Sequence, residues 1–148
     1  MGTLRRSAAA LLVAGLLGGC GHAAFQAALP ASPGINLTAA SGESGTAHAT
    51  LVNQGNAWKL IVVGQGLRTS GAYGVFLINL PSGVHQGVGS PPFSLGVTAS
   101  GTVDFIGTAR MHPANSLELV VNYYPSGNPA DTAGAQQAFS GTFSAPLR

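Results

Sequence analysis

The segment from Leu117 to Tyr123 reads Leu-Glu-Leu-Val-Val-Asn-Tyr, and apolar residues occupy every second position in it. Successive side chains of a β-strand point to opposite faces of the sheet, so this period of two is typical of a strand with one face against a core. The residues predicted to face the core are Leu117, Leu119, Val121 and Tyr123. The segment therefore predicts a β-strand in a packed domain.

Seven other short segments have strand-like patterns, and clusters of Gly, Pro, Ser and Asn typical of turns separate them. They span residues 46–51, 57–63, 73–80, 85–88, 93–97, 102–106 and 139–143, of which 85–88 has the weakest pattern. Turn residues predict two hairpins, one of 46–51 with 57–63 and one of 93–97 with 102–106. Seven or eight short strands at this spacing predict an all-β fold, an immunoglobulin-like antiparallel β-sandwich.

The composition supports a packed domain and excludes one class of partner. Of the 148 residues, 45% are hydrophobic and only 7% are charged, which is the reverse of the composition of disordered chains. From Cys20 onward there are four cationic and four anionic residues, so this part of the chain has no net charge. Nucleic-acid binding needs a basic surface that displaces phosphate counterions, so nucleic acid is not an expected partner.

The N-terminus has the organisation of an export signal. Arg5 and Arg6 precede an apolar segment at 7–19, which is shorter than the roughly 20 residues of a helix that spans a bilayer. The stretch Leu17-Gly18-Gly19-Cys20 resembles the lipobox of bacterial lipoproteins, which implies cleavage before Cys20 and transfer of lipid to its thiol. A plain secretory signal that ends at an incidental cysteine is the alternative. We expect a fatty-acylated protein anchored in the cell membrane or outer membrane, facing the periplasm or the cell exterior.

The chain therefore divides into three predicted parts. Residues 1–19 form the signal peptide. Residues 20–44 are rich in Ala, Pro, Ser and Gly without a sustained periodicity, so we expect a lipidated flexible tether. Residues 45–148 contain all the predicted strands, and a domain of about 100 residues can bury a self-sufficient core.

Several motifs from Gly45 onward occur in an order shared with a known domain family. They are the Ala-rich segment Gly45–Leu51, the Trp58 segment followed by Gly66-Leu67, Tyr-Gly-Val-Phe-Leu-Ile at 73–78, Pro-Ala-Asn-Ser at 113–116, Leu119-Val120-Val121, and Ser-Gly-Thr-Phe at 140–143. This order resembles the extracytoplasmic C-terminal domain of anti-sigma-K factors, which implies a β-sandwich at the cell envelope. This sequence departs from that family in having no zinc-binding anti-sigma domain and no transmembrane helix, so we do not expect it to hold a sigma factor.

The residues from Cys20 onward show no catalytic signature. The four acids fall in no recognisable motif, no serine lies in a Gly-x-Ser-x-Gly turn, and the single cysteine is assigned to the lipid. Asp104 and Glu118 could meet across strands, but solvent-facing strand positions explain each of them. We therefore expect a non-enzymatic protein without a cofactor.

Histidines and aromatic residues are the remaining candidates for a binding site. His48, His85 and His112 could together hold copper or zinc from separate strands, although scattered surface histidines explain them as well. The candidate partner-binding residues are Trp58, Tyr73, Tyr123 and Tyr124. Trp58 and Tyr73 are typical core residues of a sandwich, whereas the adjacent tyrosines must point to opposite faces of their strand, so we expect one of them to be exposed.

Two functions are compatible with these features. The first is a lipid-anchored envelope module that binds or scaffolds a protein or glycan partner, in the manner of a sensory domain. The second is a metal-binding periplasmic lipoprotein that uses the histidines.

Overall fold

The computed structural model describes residues 33–111 and 116–144, and within them the chain forms nine β-strands and one turn of 3-10 helix. The strands are β1 (Gly34–Ala39), β2 (Thr46–Asn53), β3 (Trp58–Gln65), β4 (Ala72–Asn79), β5 (Val84–Gly87), β6 (Ser94–Leu95), β7 (Val103–Ala109), β8 (Ser116–Tyr124) and β9 (Gln136–Ser144); the 3-10 turn is Thr132–Gly134. The predicted all-β antiparallel sandwich is confirmed, with nine strands in place of seven or eight. No helix in these two ranges is long and apolar enough to cross a membrane.

Two sheets share strand β1. Its first half pairs with β2, where Leu37 lies opposite Ala47, and its second half pairs with β9, where Ala39 lies opposite Phe139. The first sheet runs β1-β2-β3-β7, and the second runs β1-β9-β8-β4-β5 with β6 added to β4. At the opposite edges, the Gly89 N–H donates to the Thr108 carbonyl with an N···O distance of 2.9 Å, so the two sheets also meet there.

The core lies between the two sheets and is built from alternate residues of their strands. Leu51, Leu60 and Val62 from the first sheet and Val75 and Leu77 from the second belong to one buried cluster. The alternation predicted for 117–123 is confirmed, because Leu117, Leu119, Val121 and Tyr123 are all buried. The absence of a buried charge from this cluster is what a purely apolar core requires.

The strand register places different connections at the two ends of the sandwich. Leu51 donates its N–H to the Pro33 carbonyl at 3.0 Å, so the chain that leads back to Cys20 enters beside the β2–β3 turn. The β4–β5 turn (residues 80–83) and the last residue of β9 lie at the same end, since Asn79 pairs with Leu117 and Ser144 with Ser116. We call this the linker end. The β1–β2 and β3–β4 connections lie at the opposite end, the far end.

The predicted second hairpin is wrong. Ser94 and Leu95 of β6 pair with Gly74 and Tyr73 of β4, whereas β7 pairs with β3. The intervening turn is real, because the Thr98 N–H donates to the Thr102 carbonyl at 2.9 Å. This turn connects a strand of one sheet to a strand of the other, and not two paired strands of the same sheet. Local turn residues do not distinguish these two cases.

The predicted extent of the flexible tether, residues 20–44, is also wrong at its C-terminal part. Residues 34–39 form β1, with Leu37 buried and Ile35 packed against the core. Gly34-Ile35-Asn36-Leu37-Thr38 does alternate, but it offers only two large apolar side chains among Gly, Ala, Ser and Pro. Because each half of the strand pairs with a different sheet, a short and weak pattern is enough to specify it.

Strand β1 should therefore be required for folding. A chain that begins at Pro33 is expected to unfold cooperatively in urea, whereas one that begins at Gly45, the predicted domain boundary, should lose most of its stability because β2 and β9 lose their shared partner. Equal urea midpoints of the two chains, measured by far-UV circular dichroism, would contradict a requirement for β1.

In the full chain, Leu37→Asp should destabilise the fold by about 3 kcal/mol or more because it buries a charge. The outward-facing Asn36→Asp should change the stability by less than about 0.5 kcal/mol.

Candidate functional site

Two of the candidate aromatic residues meet in the far half of the core. Tyr73 on β4 and Tyr123 on β8 are cross-strand partners, and their ring centroids are 5.2 Å apart. The Arg68 guanidinium lies over the Tyr123 ring, 4.6 Å from its centroid. The Arg68 backbone N–H donates to the Tyr73 hydroxyl at 3.0 Å. Both tyrosines are buried, so neither offers a free face to a ligand.

A buried carboxylate completes this arrangement. Arg68 Nη2 lies 3.1 Å from Glu43 Oε1 and also donates to the Gly42 carbonyl at 2.8 Å. The Glu43 side chain is only 4% exposed, and its Oε2 has no hydrogen-bond partner among the described residues. A buried carboxylate destabilises a fold unless it is paired, so Glu43 depends on Arg68. We call Glu43, Arg68, Tyr73 and Tyr123 the Arg68 clamp.

The clamp fastens the β1–β2 connection, which carries Glu43, to the β3–β4 connection, which carries Arg68. Burial raises the pKa of Tyr73 above its ordinary value of 10.0, while the hydrogen bond from the Arg68 backbone acts in the opposite direction. Its hydroxyl is therefore protonated at neutral pH and accepts the Arg68 hydrogen bond without carrying charge. The clamp holds two loops together at the far end and has the geometry of a structural contact.

Tyr124 lies on the other side of β8, in a groove on the outer face of the second sheet. The groove has a volume of about 340 Å³. Its lining residues are Phe76, Ile78, His85, Val120, Asn122, Tyr124, Thr132 and Ala135. We call it the second-sheet groove.

The local sequence explains why this face is concave and apolar. β4 and β8 lie inside the second sheet, and they carry apolar residues on both faces, so Phe76 and Val120 meet across strands on the outer side. Gly74 leaves room for the Tyr124 ring, because a Cβ there would lie 3.0 Å from Tyr124 Cε2. Thr132 and Ala135, from the β8–β9 connection, add part of the wall beside that ring.

The lining of the second-sheet groove is typical of a binding cleft. Its floor is apolar, and hydrogen-bonding groups come from His85, Asn122 and Thr132. None of the eight lining residues is an acid, Lys or Arg. Small-ligand sites are typically apolar clefts of about 300–1,000 Å³ with a few polar groups, and this groove lies at the lower end of that range.

The expectation that one of the adjacent tyrosines is exposed is wrong. Tyr123 and Tyr124 do face opposite sides, since Tyr123 belongs to the core cluster and Tyr124 lines the groove, but both are buried. The β8–β9 connection shields Tyr124, which a strand pattern does not reveal. Trp58 and Tyr73 are buried in the core as sandwich residues usually are, so they do not form a stacking platform. Phe76, Ile78 and Val120 line the groove instead, and sequence reasoning missed them because an apolar central strand reads as core on both faces.

The histidines are not brought together. On the first sheet, His48 Nδ1 on β2 donates to Asn36 Oδ1 at 3.1 Å, and His85 lies on β5 at the edge of the second sheet. His112 lies outside the described residues. In the part of the chain that the structure describes, no group of three His, Cys, Asp or Glu side chains is placed to hold a metal ion. Asp104 and Glu118 also belong to different sheets and do not meet.

Comparisons with known proteins give no relative from which the function of the groove could be inferred. No protein family, curated protein or solved structure matches this chain. The resemblance to anti-sigma-K C-terminal domains therefore stays a prediction.

The Arg68 clamp makes a specific prediction about stability. Arg68→Met should destabilise by about 2–3 kcal/mol, because it leaves the Glu43 carboxylate buried and unpaired. Replacing the carboxylate as well, in Glu43→Leu/Arg68→Met, should recover at least half of that loss. Urea unfolding of Arg68→Met, Glu43→Leu and the double variant measures the coupling. Additive losses would show that Glu43 does not depend on Arg68.

Proposed function

We propose that this protein is a lipid-anchored, non-enzymatic module of the cell envelope that binds a protein or glycan partner in the second-sheet groove. The observation that carries the proposal is the groove itself, an uncharged apolar cleft on an outer sheet face. Outer faces of antiparallel sheets are ordinarily polar, because they meet water. An apolar concavity there favours a ligand that covers it.

The proposed anchor is lipid on Cys20, inferred from the Leu17-Gly18-Gly19-Cys20 motif. Thirteen residues, 21–33, separate this cysteine from β1. A chain of that length spans at most about 45 Å when fully extended. Since β1 belongs to the domain, the tether is shorter than the sequence alone predicts. The domain is accordingly held close to the lipid surface.

The partner's chemistry follows from the lining of the groove. Apolar side chains such as Phe76 and Val120 suit the C–H face of a sugar ring or an apolar peptide side chain. His85 and Asn122 can bond the hydroxyl or amide groups of the same ligand. No acid lines the groove. Glu43 is paired in the Arg68 clamp, Glu118 lies opposite Ile78 beside the groove, and Asp131 precedes Thr132 and accepts the Gly134 N–H at 3.4 Å. The lack of a carboxylate in the lining supports a non-catalytic role.

Lipidation can be tested on the cellular protein. Native protein is expected to partition into the detergent phase of a Triton X-114 separation, to incorporate radiolabelled palmitate, and to lack residues 1–19. Cys20→Ala should remove the label and prevent processing at Cys20. Native protein that partitions wholly into the aqueous phase with an unmodified thiol would overturn the proposed anchor.

Groove binding can be tested with two variants, each of which carries a photo-crosslinking amino acid in place of one histidine. A probe at position 85, in the groove, should give a discrete adduct in native envelopes, and a probe at position 48, on the outer face of the first sheet, should not. Val120→Lys should abolish the adduct by placing a charge in the groove. Val63→Lys, the same change on the outer face of the other sheet, should leave it in place. Identical adducts from both positions, or none from position 85, would contradict the proposed site.

A further inference from the structure

The β4–β5 turn presents two apolar side chains to solvent at the linker end. Leu80 is 45% exposed and Val84 is 54% exposed, and they flank the turn residues Pro81-Ser82-Gly83. The only other large apolar side chains this exposed among the described residues, Val63 and Ile106, lie on β3 and β7 of the first sheet. Leu80 and Val84 are therefore the apolar pair that projects from an end of the sandwich.

Backbone hydrogen bonds fix this presentation. Gly83 donates its N–H to the Asn79 carbonyl at 2.7 Å, and Leu80 donates to the Ser116 carbonyl at 3.3 Å. Gly83 has a φ of +67°, which a residue with a side chain rarely adopts. The turn is thus closed on itself, and its two apolar side chains stay outside the core.

Charge is distributed unevenly between the two ends of the sandwich. The register places Lys59, Arg110 and Glu118 in the linker half, with Arg110 directly after β7 and lining the same cavity as Val84. The far half holds Arg68, which pairs with Glu43, together with Asp104 and Asp131. Counting only described residues, the linker half carries a net charge of +1 and the far half −2. An anionic surface therefore attracts the linker end and repels the far end.

The position of the tether identifies the surface that this end meets. Residues 21–33 lead from Pro33, at the linker end, back to Cys20. Their short reach holds that end near the bilayer whenever Cys20 is acylated. An exposed apolar pair with a neighbouring cation is the combination by which interfacial segments bind anionic membranes.

We propose that the turn from Leu80 to Val84, together with Arg110, is a second membrane contact that seats the linker end in the headgroup layer of an anionic bilayer. This inference rests on the proposed lipid anchor, because the tether raises the local concentration of the linker end at the bilayer and so strengthens a contact that is weak by itself. With the linker end seated, the long axis of the sandwich stands away from the membrane. The second-sheet groove then opens sideways, where an envelope partner can reach it.

The contact can be measured without the acyl chain. The mature chain, residues 20–148 with Cys20→Ser, is sedimented with vesicles of phosphatidylcholine containing about 30% phosphatidylglycerol. Leu80→Ser/Val84→Ser is expected to lower the partition coefficient at least about tenfold, and Arg110→Glu at least about fivefold. The Arg110 effect should vanish on pure phosphatidylcholine and weaken in high salt. The matched control, Val63→Ser/Ile106→Ser, removes equally exposed apolar side chains from the first sheet and should change partition by less than about twofold.

The acylated protein gives an independent readout. In nanodiscs with spin-labelled lipid headgroups, the amide signals of Leu80, Ser82, Gly83 and Val84 should broaden, while those of the far-end residues 42–44 and 68–71 should not. Equal losses in the control pair, or broadening elsewhere with none at 80–84, would overturn the membrane contact. Neither result bears on the lipid anchor, because the anchor is tested separately by palmitate labelling of Cys20.

Discussion

Strand β1 pairs with β2 along its first half and with β9 along its second, and the closure of the sandwich depends on this division. Without it, the first sheet would end at β2 and the second at β9, each with an unpaired edge beside the core. Leu37 and Ile35 are the side chains that β1 adds to the interior, so few apolar contacts support a large topological role. The strand also fixes the end of the domain at which the preceding chain joins it, which is the end that the proposed lipid anchor would hold near the membrane.

The functional features follow from this arrangement. The far end is held by the Arg68 clamp, in which a cation offsets the cost of a buried carboxylate and covers a tyrosine ring. The linker end has no ion pair of this kind among the described residues and instead presents an apolar turn and Arg110. Between the two ends, the outer face of the second sheet is apolar because β4 and β8 are interior strands and the β8–β9 connection shields one side of it. The proposed anchor and membrane contact belong to the linker end, the Arg68 clamp lies at the far end, and the second-sheet groove lies on the face between them.

The sequence was sufficient for the parts of the fold that depend on local alternation. The strand at 117–123 was predicted with its inward face correct, and the hairpin of β2 and β3 followed from the turn at 53–56. Pairing that depends on distant segments was not predictable: β6 joins β4, and β1 was assigned to the tether because Ile35 and Leu37 form a short pattern. The site was harder still. Tyr124 is a sequence candidate because one of two adjacent tyrosines is expected to be exposed, but the β8–β9 connection shields it. The sequence does not point to Phe76 and Val120, because an apolar residue on an interior strand can face either the core or a groove.

Native-state amide hydrogen exchange measures the role of β1 most directly. Ala40 donates its N–H to the Ala138 carbonyl at 2.8 Å, and Leu51 donates to the Pro33 carbonyl at 3.0 Å, so these two amides report on the two ends of the strand. If β1 closes the sandwich, both amides should exchange only through global unfolding, with the same free energy as the core amides of β8. Exchange of Ala40 and Leu51 through local opening, at a much lower free energy while β8 stays protected, would contradict the account.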